Sequence, residues 1–505
     1  MNNNDYFNTD HLKAGLKKHA MRGAGATIFA EMIVFIIQFV GAIILARLLT
    51  PDDFGLIAMV TTFSMLLQNF GLNGFTEAVI QKDGLTHKMM STLFWLNASV
   101  SFGLMLLFMT SSPLIAWFYG DSRLVIISIV IGCSIFATGL STLHLATLRR
   151  NMQFLSTSAI GITARVSSVL VAILLAWTGW GYRALIVQTV AYPLISAILA
   201  WVFCRWRPGL PSSIKDISTM LTFALHTYGN FALNYFARNI DKLLVGWKYG
   251  TQPLGLYKRA YDLFSLPANQ LIVPISNVAL ATLSRLVSEP DKYRHYYFNA
   301  LSTIAFIGMA ISLILTLTGY DLVLFLLGPQ WERAGIIFCY FGTSIGIMLI
   351  HGTQGWLHLS LGKPNRWVRW SIVETIFTTI FFIGGLYFGI AGVAIAYSLT
   401  FYLLVIPTLV FAGKPVNISA YAIISRIWRY FLAAVIAGLI SFAVLYKIDF
   451  ISLQFSALYI LLRIIISASL NLLFYLILVA VVHQSLNPLK QALSIAKQML
   501  PGRNK

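Results

Sequence analysis

Among the ionisable side chains inside stretches that otherwise read as hydrocarbon are Arg165, Arg238, Lys242, Lys258, Arg259 and Arg463 against Glu31, Asp241, Asp262 and Glu374. A charge at the centre of a bilayer costs roughly 2.5–3.5 kcal/mol on insertion scales, so each one needs a partner or a task. The bases outnumber the acids. Arg and Lys hold oxyanions through charge-assisted hydrogen bonds, Arg by a two-pronged fork. The surplus therefore points to an anionic ligand inside a membrane. Local pairing competes with that reading. Arg259 and Asp262 are three apart, Lys258 and Asp262 four, and Arg238 and Asp241 three. Those are spacings at which side chains meet on one helix face. Lys242 and Lys258 could also snorkel to an interface. Arg165 lies about three turns deep and is harder to dismiss. Glu31 is the leading acid: a carboxylate just inside the first stretch could bind a coupling H⁺ or Na⁺, or pair with Arg22 or a neighbouring helix. Asp241 and Asp262 are further ion-coupling candidates.

These residues must be positioned by membrane helices. Apolar stretches fall at 27–49, 54–72, 90–118, 124–146, 155–177, 183–204, 218–246, 254–280, 300–327, 333–360, 367–388, 390–411, 427–446 and 456–483. A bilayer core about 30 Å thick takes roughly 20 apolar residues as a helix, and helices or closed barrels alone satisfy their backbone there. Fourteen transmembrane helices are expected, an all-α polytopic membrane protein. Of 36 Lys and Arg, 24 lie in tails and loops on one side and six (Arg47, Arg123, Arg183, Lys248, Arg333, Lys447) on the other. The positive-inside rule puts both termini in the cytoplasm. Span 7 then runs outward, with Arg238 and Lys242 in its outer half, and span 8 begins there with Lys258 and Arg259. Arg47 closes span 1 on the same side.

Composition narrows the function. Apolar residues make up 58% and charged residues 10%, against about a quarter charged in soluble domains. The net charge of +19 fits cytoplasmic loops facing anionic lipid and requires no nucleic acid. No loop is long enough for a catalytic domain, and there is no G-x-x-x-x-G-K-[ST] sequence for ATP hydrolysis. A G-x-G at Gly23 and Gly25 fails at Ile28, and no H-E-x-x-H occurs. No enzyme activity and no resident metal are expected. His351 and His358 could share a helix face, but hydrogen-bonded helix-end histidines are expected rather than a metal pair. Cys133, Cys204 and Cys339 have no metal or disulfide spacing and are expected to pack. The polar, basic first 25 residues hold no cleavable apolar core.

The chain also repeats itself. Thr50-Pro51-Asp52-Asp53-Phe54-Gly55-Leu56 is echoed by Thr251-Gln252-Pro253-Leu254-Gly255-Leu256. The stretch from Pro113 to Gly120 is echoed from Asp321 to Gly328, and Gly179 to Leu185 from Phe388 to Ala394. Order is kept and the offset is near 200–208. Two homologous bundles in one orientation are expected. They are an N-lobe at 27–211 and a C-lobe at 212–415, after a basic segment at 1–26 and before helices 13 and 14 at 416–485 and a tail at 486–505. A duplicated bundle without an energy-coupling domain predicts a secondary transporter working by alternating access.

The turn at Leu45–Ala58, the start of span 3 at Thr86–Asn97, the run Gly255–Pro267 with Pro274-Ile275 and Leu283–Leu286, and Leu327–Arg333 together are similar to the Wzx-type oligosaccharide flippases. Those belong to the multidrug/oligosaccharidyl-lipid/polysaccharide exporter superfamily, and the colanic-acid-exporter-like branch is the nearest in pattern. The likeness covers essentially residues 15–485. It implies two lobes around a cavity lined mainly by helices 1, 2, 7 and 8, and a substrate: a polyprenyl-pyrophosphate-linked sugar repeat unit, moved from the cytoplasmic to the periplasmic leaflet of the inner membrane. Under that reading Arg238, Lys242, Lys258, Arg259, Arg165 and Arg47 serve the pyrophosphate or sugar, and Arg463 a groove for the lipid tail. Implied partners are the lipid-linked oligosaccharide, membrane lipids and the polysaccharide polymerase and chain-length machinery. One departure stands out. The lipid II flippase branch carries Arg inside helices 1 and 2, where this chain has Gln38, Gln68 and Asn69. The rivals are a multidrug exporter of the same superfamily and a structural subunit of a synthesis complex. The extra two helices and the basic bias count against the exporter.

Overall fold

The computed structural model describes residues 16–82, 84–213, 217–447, 457–487 and 489–490. Among these residues the structure is helical, without a strand. The helices are α1 (Leu16–Leu48), α2 (Pro51–Gln81), α3 (His87–Thr110), α4 (Ser112–Tyr119), α5 (Arg123–Arg150), α6 (Phe154–Trp177), α7 (Tyr182–Phe203), α8 (Ser218–Tyr249) and α9 (Thr251–Arg285). There follow α10 (Pro290–Leu327), α11 (Glu332–Gly342), α12 (Ile345–Gly352), α13 (Gln354–Ser360), α14 (Pro364–Gly385), α15 (Gly389–Gly413), α16 (Ala420–Lys447) and α17 (Ala457–His483). Among the described residues nine helical stretches are long and apolar enough to cross a membrane, ten if a pair bent by 48° between α11 and α12 is one span. This is a multi-pass membrane protein, and the helices follow the order of the fourteen predicted stretches. α1 begins at Leu16, well before its predicted start at 27, because a helix need not stop where the bilayer does.

Local chemistry sets the boundaries. Thr50 caps α2: its backbone N–H donates to Asp53 Oδ2 at 2.8 Å, its hydroxyl accepts from the Asp53 N–H at 3.3 Å, and Pro51 opens the helix. The stretch predicted at 90–118 breaks into α3 and α4. Pro113 lacks an N–H, and the Ser111 and Ser112 hydroxyls occupy the carbonyls of Leu107 (2.6 Å) and Met109 (2.7 Å). The stretch at 333–360 breaks twice, into α11, α12 and α13. The carbonyls freed at the first break are caught from other helices: Ser312 on α10 reaches the Gly342 and Thr343 oxygens at 2.7 Å, and Tyr402 on α15 reaches that of Thr343 at 2.6 Å. Irregular backbone at membrane depth is tolerated when neighbours satisfy it in this way.

The chain divides into two compact units between Gly255 and Leu256. In the first, α2 packs on α5 and α8, α6 on α1 and α7, and α3 on α5. Gly41 lets α1 approach Val169 on α6 closely. The two copies of the repeat's first motif lie against each other here. A Cβ on Gly55 would overlap the Thr251 backbone, and one on Gly255 the Pro51 carbonyl. Asp52 accepts the Thr251 hydroxyl in a short hydrogen bond and pairs with Arg123 at 3.0 Å. Arg123 also grips Asp121 at 2.7 Å and holds its carboxyl below the usual carboxylate range. Arg150 ends α2 by donating to the carbonyls of Val79 (2.6 Å) and Lys82 (2.8 Å).

In the second unit α10 is the central helix, packed on α11, α12, α16 and α17, while α15 joins α11, α12, α13 and α14. Where α10 meets α12, Gly308 and Gly346 touch backbone to backbone: a Cβ on Gly346 would stand 2.8 Å from the Gly308 oxygen. Small residues at such crossings give the close packing that holds membrane helices together. Gly346→Val is therefore expected to destabilise the protein by about 1–3 kcal/mol through overpacking. A thermal melt of the detergent-solubilised protein checks this, against Gly384→Val, whose Cβ would meet nothing.

Candidate functional site

The charged residues of α8 and α9 are set by which faces those helices bury. On α8, Tyr228 and Tyr235 donate their hydroxyls to α2 carbonyls, Leu66 at 3.2 Å and Thr62 at 2.8 Å. Val245, Asp241 and Lys242 lie on the buried side, and Arg238 is exposed. The Lys242 ammonium donates to the Arg238 carbonyl and to Asn239 Oδ1, both at 3.2 Å, and stands 3.8 Å from Asp241. Lys242 is thus largely consumed locally. Among the described residues no carboxylate pairs with the Arg238 guanidinium. Of the two basic residues expected on this helix, Arg238 is the exposed one.

On α9 Tyr257, Ala260 and Phe264 are buried, at helical spacing, against Phe341 and Tyr397. That fixes the rotation of α9 and leaves Lys258, Arg259 and Asp262 half-buried on the flanking face. Lys258 and Asp262 pair at 2.8 Å, as their four-residue spacing predicts, and Arg259 interacts electrostatically with the same carboxylate. One acid thus serves two bases, and the cluster keeps a net positive charge.

The other candidates are on other helices. Arg165 on α6 sits over the Tyr192 ring of α7 at 3.8 Å. With the Gln38 amide turned oxygen-inward, Gln38 of α1 accepts from Arg165 Nη2 and Nε at 3.0 and 3.1 Å. This polar knot ties three helices of the first unit together. Arg47 is exposed in the last turn of α1. Glu31 is exposed on α1, and the side chain of Arg22, one of its candidate partners, lies outside the described residues. Arg463 on α17 forms an ion pair with Asp321 on α10, Nε to Oδ2 at 2.7 Å.

A cluster that the sequence spacing did not assemble lies in the second unit. Glu374 Oε1 accepts from His351 Nε2 (3.0 Å), Trp370 Nε1 (2.8 Å) and the Thr408 hydroxyl (2.6 Å). His351 pairs with Glu374 and not with His358, because the helix breaks at Thr353 between the two histidines. A lone acid in an apolar helix was the available signal; its partner, 23 residues earlier, was not. Among the described residues no group of three His, Cys, Asp or Glu could hold a metal.

The fold and sequence have relatives. The chain is 25% identical over 469 residues to the teichuronic acid biosynthesis protein TuaB of Bacillus subtilis (strain 168), covering 92% of this chain and 95% of that one. It is 22% identical over 446 residues to the lipopolysaccharide biosynthesis protein WzxC of Escherichia coli (strain K12), covering 85% and 88%. Among solved structures, the lipid II flippase MurJ in an inward closed conformation superposes with a TM-score of 0.71 at 16% identity, over 92% of this chain and 99% of that one. An inward-facing multidrug resistance MATE family transporter of the MOP superfamily gives 0.62 at 12%, over 77% and 98%. These two establish the fold. Residues 44–335, more than half of the chain and including α8, α9 and their basic residues, match the family described as polysaccharide biosynthesis protein, and the chain belongs to that family.

Proposed function

We propose that this protein is a flippase that moves polyprenyl-pyrophosphate-linked oligosaccharide repeat units from the cytoplasmic to the periplasmic leaflet of the inner membrane, by alternating access, for surface polysaccharide biosynthesis. Membership of the family carries the reading. The names of the relatives, teichuronic acid and lipopolysaccharide biosynthesis proteins, support a glycan cargo. The surplus of basic groups on α8 and α9 suits the pyrophosphate: Arg238, Lys258 and Arg259 supply its countercharge. Lys242 holds the end of α8 in place, and Arg165 and Arg47 are further basic candidates for the sugar or headgroup. The Lys and Arg distribution supports both termini in the cytoplasm. The transport involves no bond made or broken, so no enzymatic role is assigned. Polymerase and chain-length machinery are the partners that would consume the delivered units.

Deleting the gene and analysing the lipids of the host tests this. Lipid-linked repeat units are expected to accumulate on the cytoplasmic face, with surface glycan lost and restored by the wild-type gene. Normal surface glycan in the deletion strain would overturn the reading.

A further inference from the structure

We propose that the first turns of α16, through Arg426 and Arg429, hold the phosphodiester of an anionic glycerophospholipid in the leaflet that the basic count assigns to the cytoplasm. The site does not depend on what the protein transports. α16 begins at Ala420, ahead of the apolar stretch that starts at 427. Seven residues of helix rise about 10 Å, enough to cross a headgroup layer. Trp428, 44% exposed, stands at the boundary, where indole rings favour the interface. The two arginines are therefore at the level of lipid phosphates.

What α16 buries decides what it offers. Ile423, Ile427, Tyr430 and Ala434 are buried at helical spacing, on a helix that packs on α10 and α17. Arg426 and Arg429 flank that seam, three residues apart and both exposed. Like charges at this spacing repel each other. Each guanidinium is nevertheless held against an aromatic ring: Arg426 over Phe298 of α10, 5.8 Å from the ring centre, and Arg429 over Trp428 at 5.6 Å. Stacking occupies the face of a guanidinium and leaves its N–H edge to donate. Among the described residues neither guanidinium meets a carboxylate or donates a hydrogen bond. Arg150, Arg294 and Arg366 differ, because each donates to a backbone carbonyl. The acids at the start of α10 are engaged, Glu289 with Lys292 at 2.5 Å and Asp291 with Arg294 at 2.6 Å. On α17, His483 lies with its ring 4.6 Å from that of Tyr430, within electrostatic reach of Arg429, and adds no negative charge.

Two ring-supported guanidiniums with unused N–H edges suit a tetrahedral oxyanion, which each can grip by a two-pronged contact. The surface beneath them selects a lipid. Leu432, Val435, Leu439 and Phe442 are exposed at helical spacing further along α16, at hydrocarbon depth. A phosphate that carries acyl chains fits both levels, whereas inorganic phosphate fits the upper one alone. Basic groups between helices at this side of a membrane are known headgroup sites. A lipid-linked sugar offers similar chemistry, but this face looks out to bulk lipid, where phospholipid is in large excess. A bound diester also removes the repulsion between the two arginines and ties α16 to α10 beside Phe298.

Native mass spectrometry of the full chain in neutral detergent tests this, with phosphatidylglycerol, phosphatidylcholine and polyprenyl phosphate as separate probes. The wild type is expected to bind phosphatidylglycerol more tightly than phosphatidylcholine. Arg426→Gln combined with Arg429→Gln is expected to weaken phosphatidylglycerol binding about thirtyfold, roughly fivefold for each arginine. Arg285→Gln combined with Lys363→Gln removes two exposed charges elsewhere and is expected to bind as the wild type does. Thermal melts guard against loss of fold. In phosphatidylcholine vesicles all three proteins should melt together, and replacing half of that lipid by phosphatidylglycerol should raise the midpoint of all but the Arg426/Arg429 variant. Equal affinity of the wild type for the two phospholipids, or undiminished phosphatidylglycerol binding by the Arg426/Arg429 variant, would overturn the site. An equal loss in both double variants would reduce it to net charge and overturn it as well. Polyprenyl phosphate binding more tightly than phosphatidylglycerol, and lost in the Arg426/Arg429 variant, would overturn the choice of ligand.

Discussion

Asp321→Ala is expected to lower the stability of the protein by about 3–5 kcal/mol, the usual cost of removing one partner from a buried ion pair. Asp321 is on α10, the helix that most of the second unit packs against, and Arg463 is on α17. Both side chains are largely enclosed, at 12% and 18% exposure. Two hydrogen bonds join them in a fork, Nε to Oδ2 at 2.7 Å and Nη2 to Oδ1 in a shorter contact. Without the carboxylate the guanidinium is left in a medium that cannot solvate it. Further along, α17 is anchored through Tyr475, whose hydroxyl donates to the Phe306 carbonyl at 2.8 Å. The loss should therefore loosen the end of α17 near Arg463 before its far end. Two measurements check it: the midpoint of thermal unfolding in detergent, and proteolysis at the start of α17. The neutral pair Asp321→Asn with Arg463→Gln should recover more than half of the loss, because two amides can hydrogen-bond without a charge to bury. If Asp321→Ala melts with the wild type, the pair is not holding α17.

That pair also shows where sequence reading stops. Hydropathy alone orders the helices, since a span must bury its backbone bonds and show apolar side chains to lipid. Spacing alone gives the Lys258–Asp262 contact, because four residues make one helical turn with a little over. The break at Ser111-Ser112-Pro113 is written in the residues that make it. The break after Gly342 is not: its carbonyls are satisfied by Ser312 and Tyr402, 30 and 59 residues away. Arg463 and Asp321 are 142 apart, and neither residue indicates the other. The same limit governs the titratable groups. His351 and His358 look like one face of a continuous helix, and the break between them turns His351 toward Glu374 instead. Lys242 looks like a cavity base at the sequence level, but its ammonium is taken up by its own helix. Arg238, four residues earlier, keeps its guanidinium exposed. What packing decided was which of the basic residues remain available.

That selection makes the second prediction. Arg238→Ala is expected to reduce glycan export about ten- to hundredfold at unchanged protein level, the loss of one to two charge-assisted hydrogen bonds of about 1.5–3 kcal/mol in all. Stability should stay within about 0.5 kcal/mol, as is usual for an exposed side chain. Arg259→Ala should match it in export, and the double variant should lose more than either alone. The charge-conserving Arg238→Lys separates two ways of holding a pyrophosphate. A point charge would leave export near wild type, whereas a two-pronged fork would leave it between wild type and Ala. Lys242→Ala should behave differently: it removes a buried local partner of Asp241, so protein level and thermal midpoint should fall along with export. Surface glycan per cell, membrane protein level and melting temperature, measured together on the five variants, distinguish these outcomes. Full export by Arg238→Ala, Arg259→Ala and the double variant would mean that α8 and α9 carry their charge for local pairing alone, and the pyrophosphate contacts would then have to come from elsewhere in the chain.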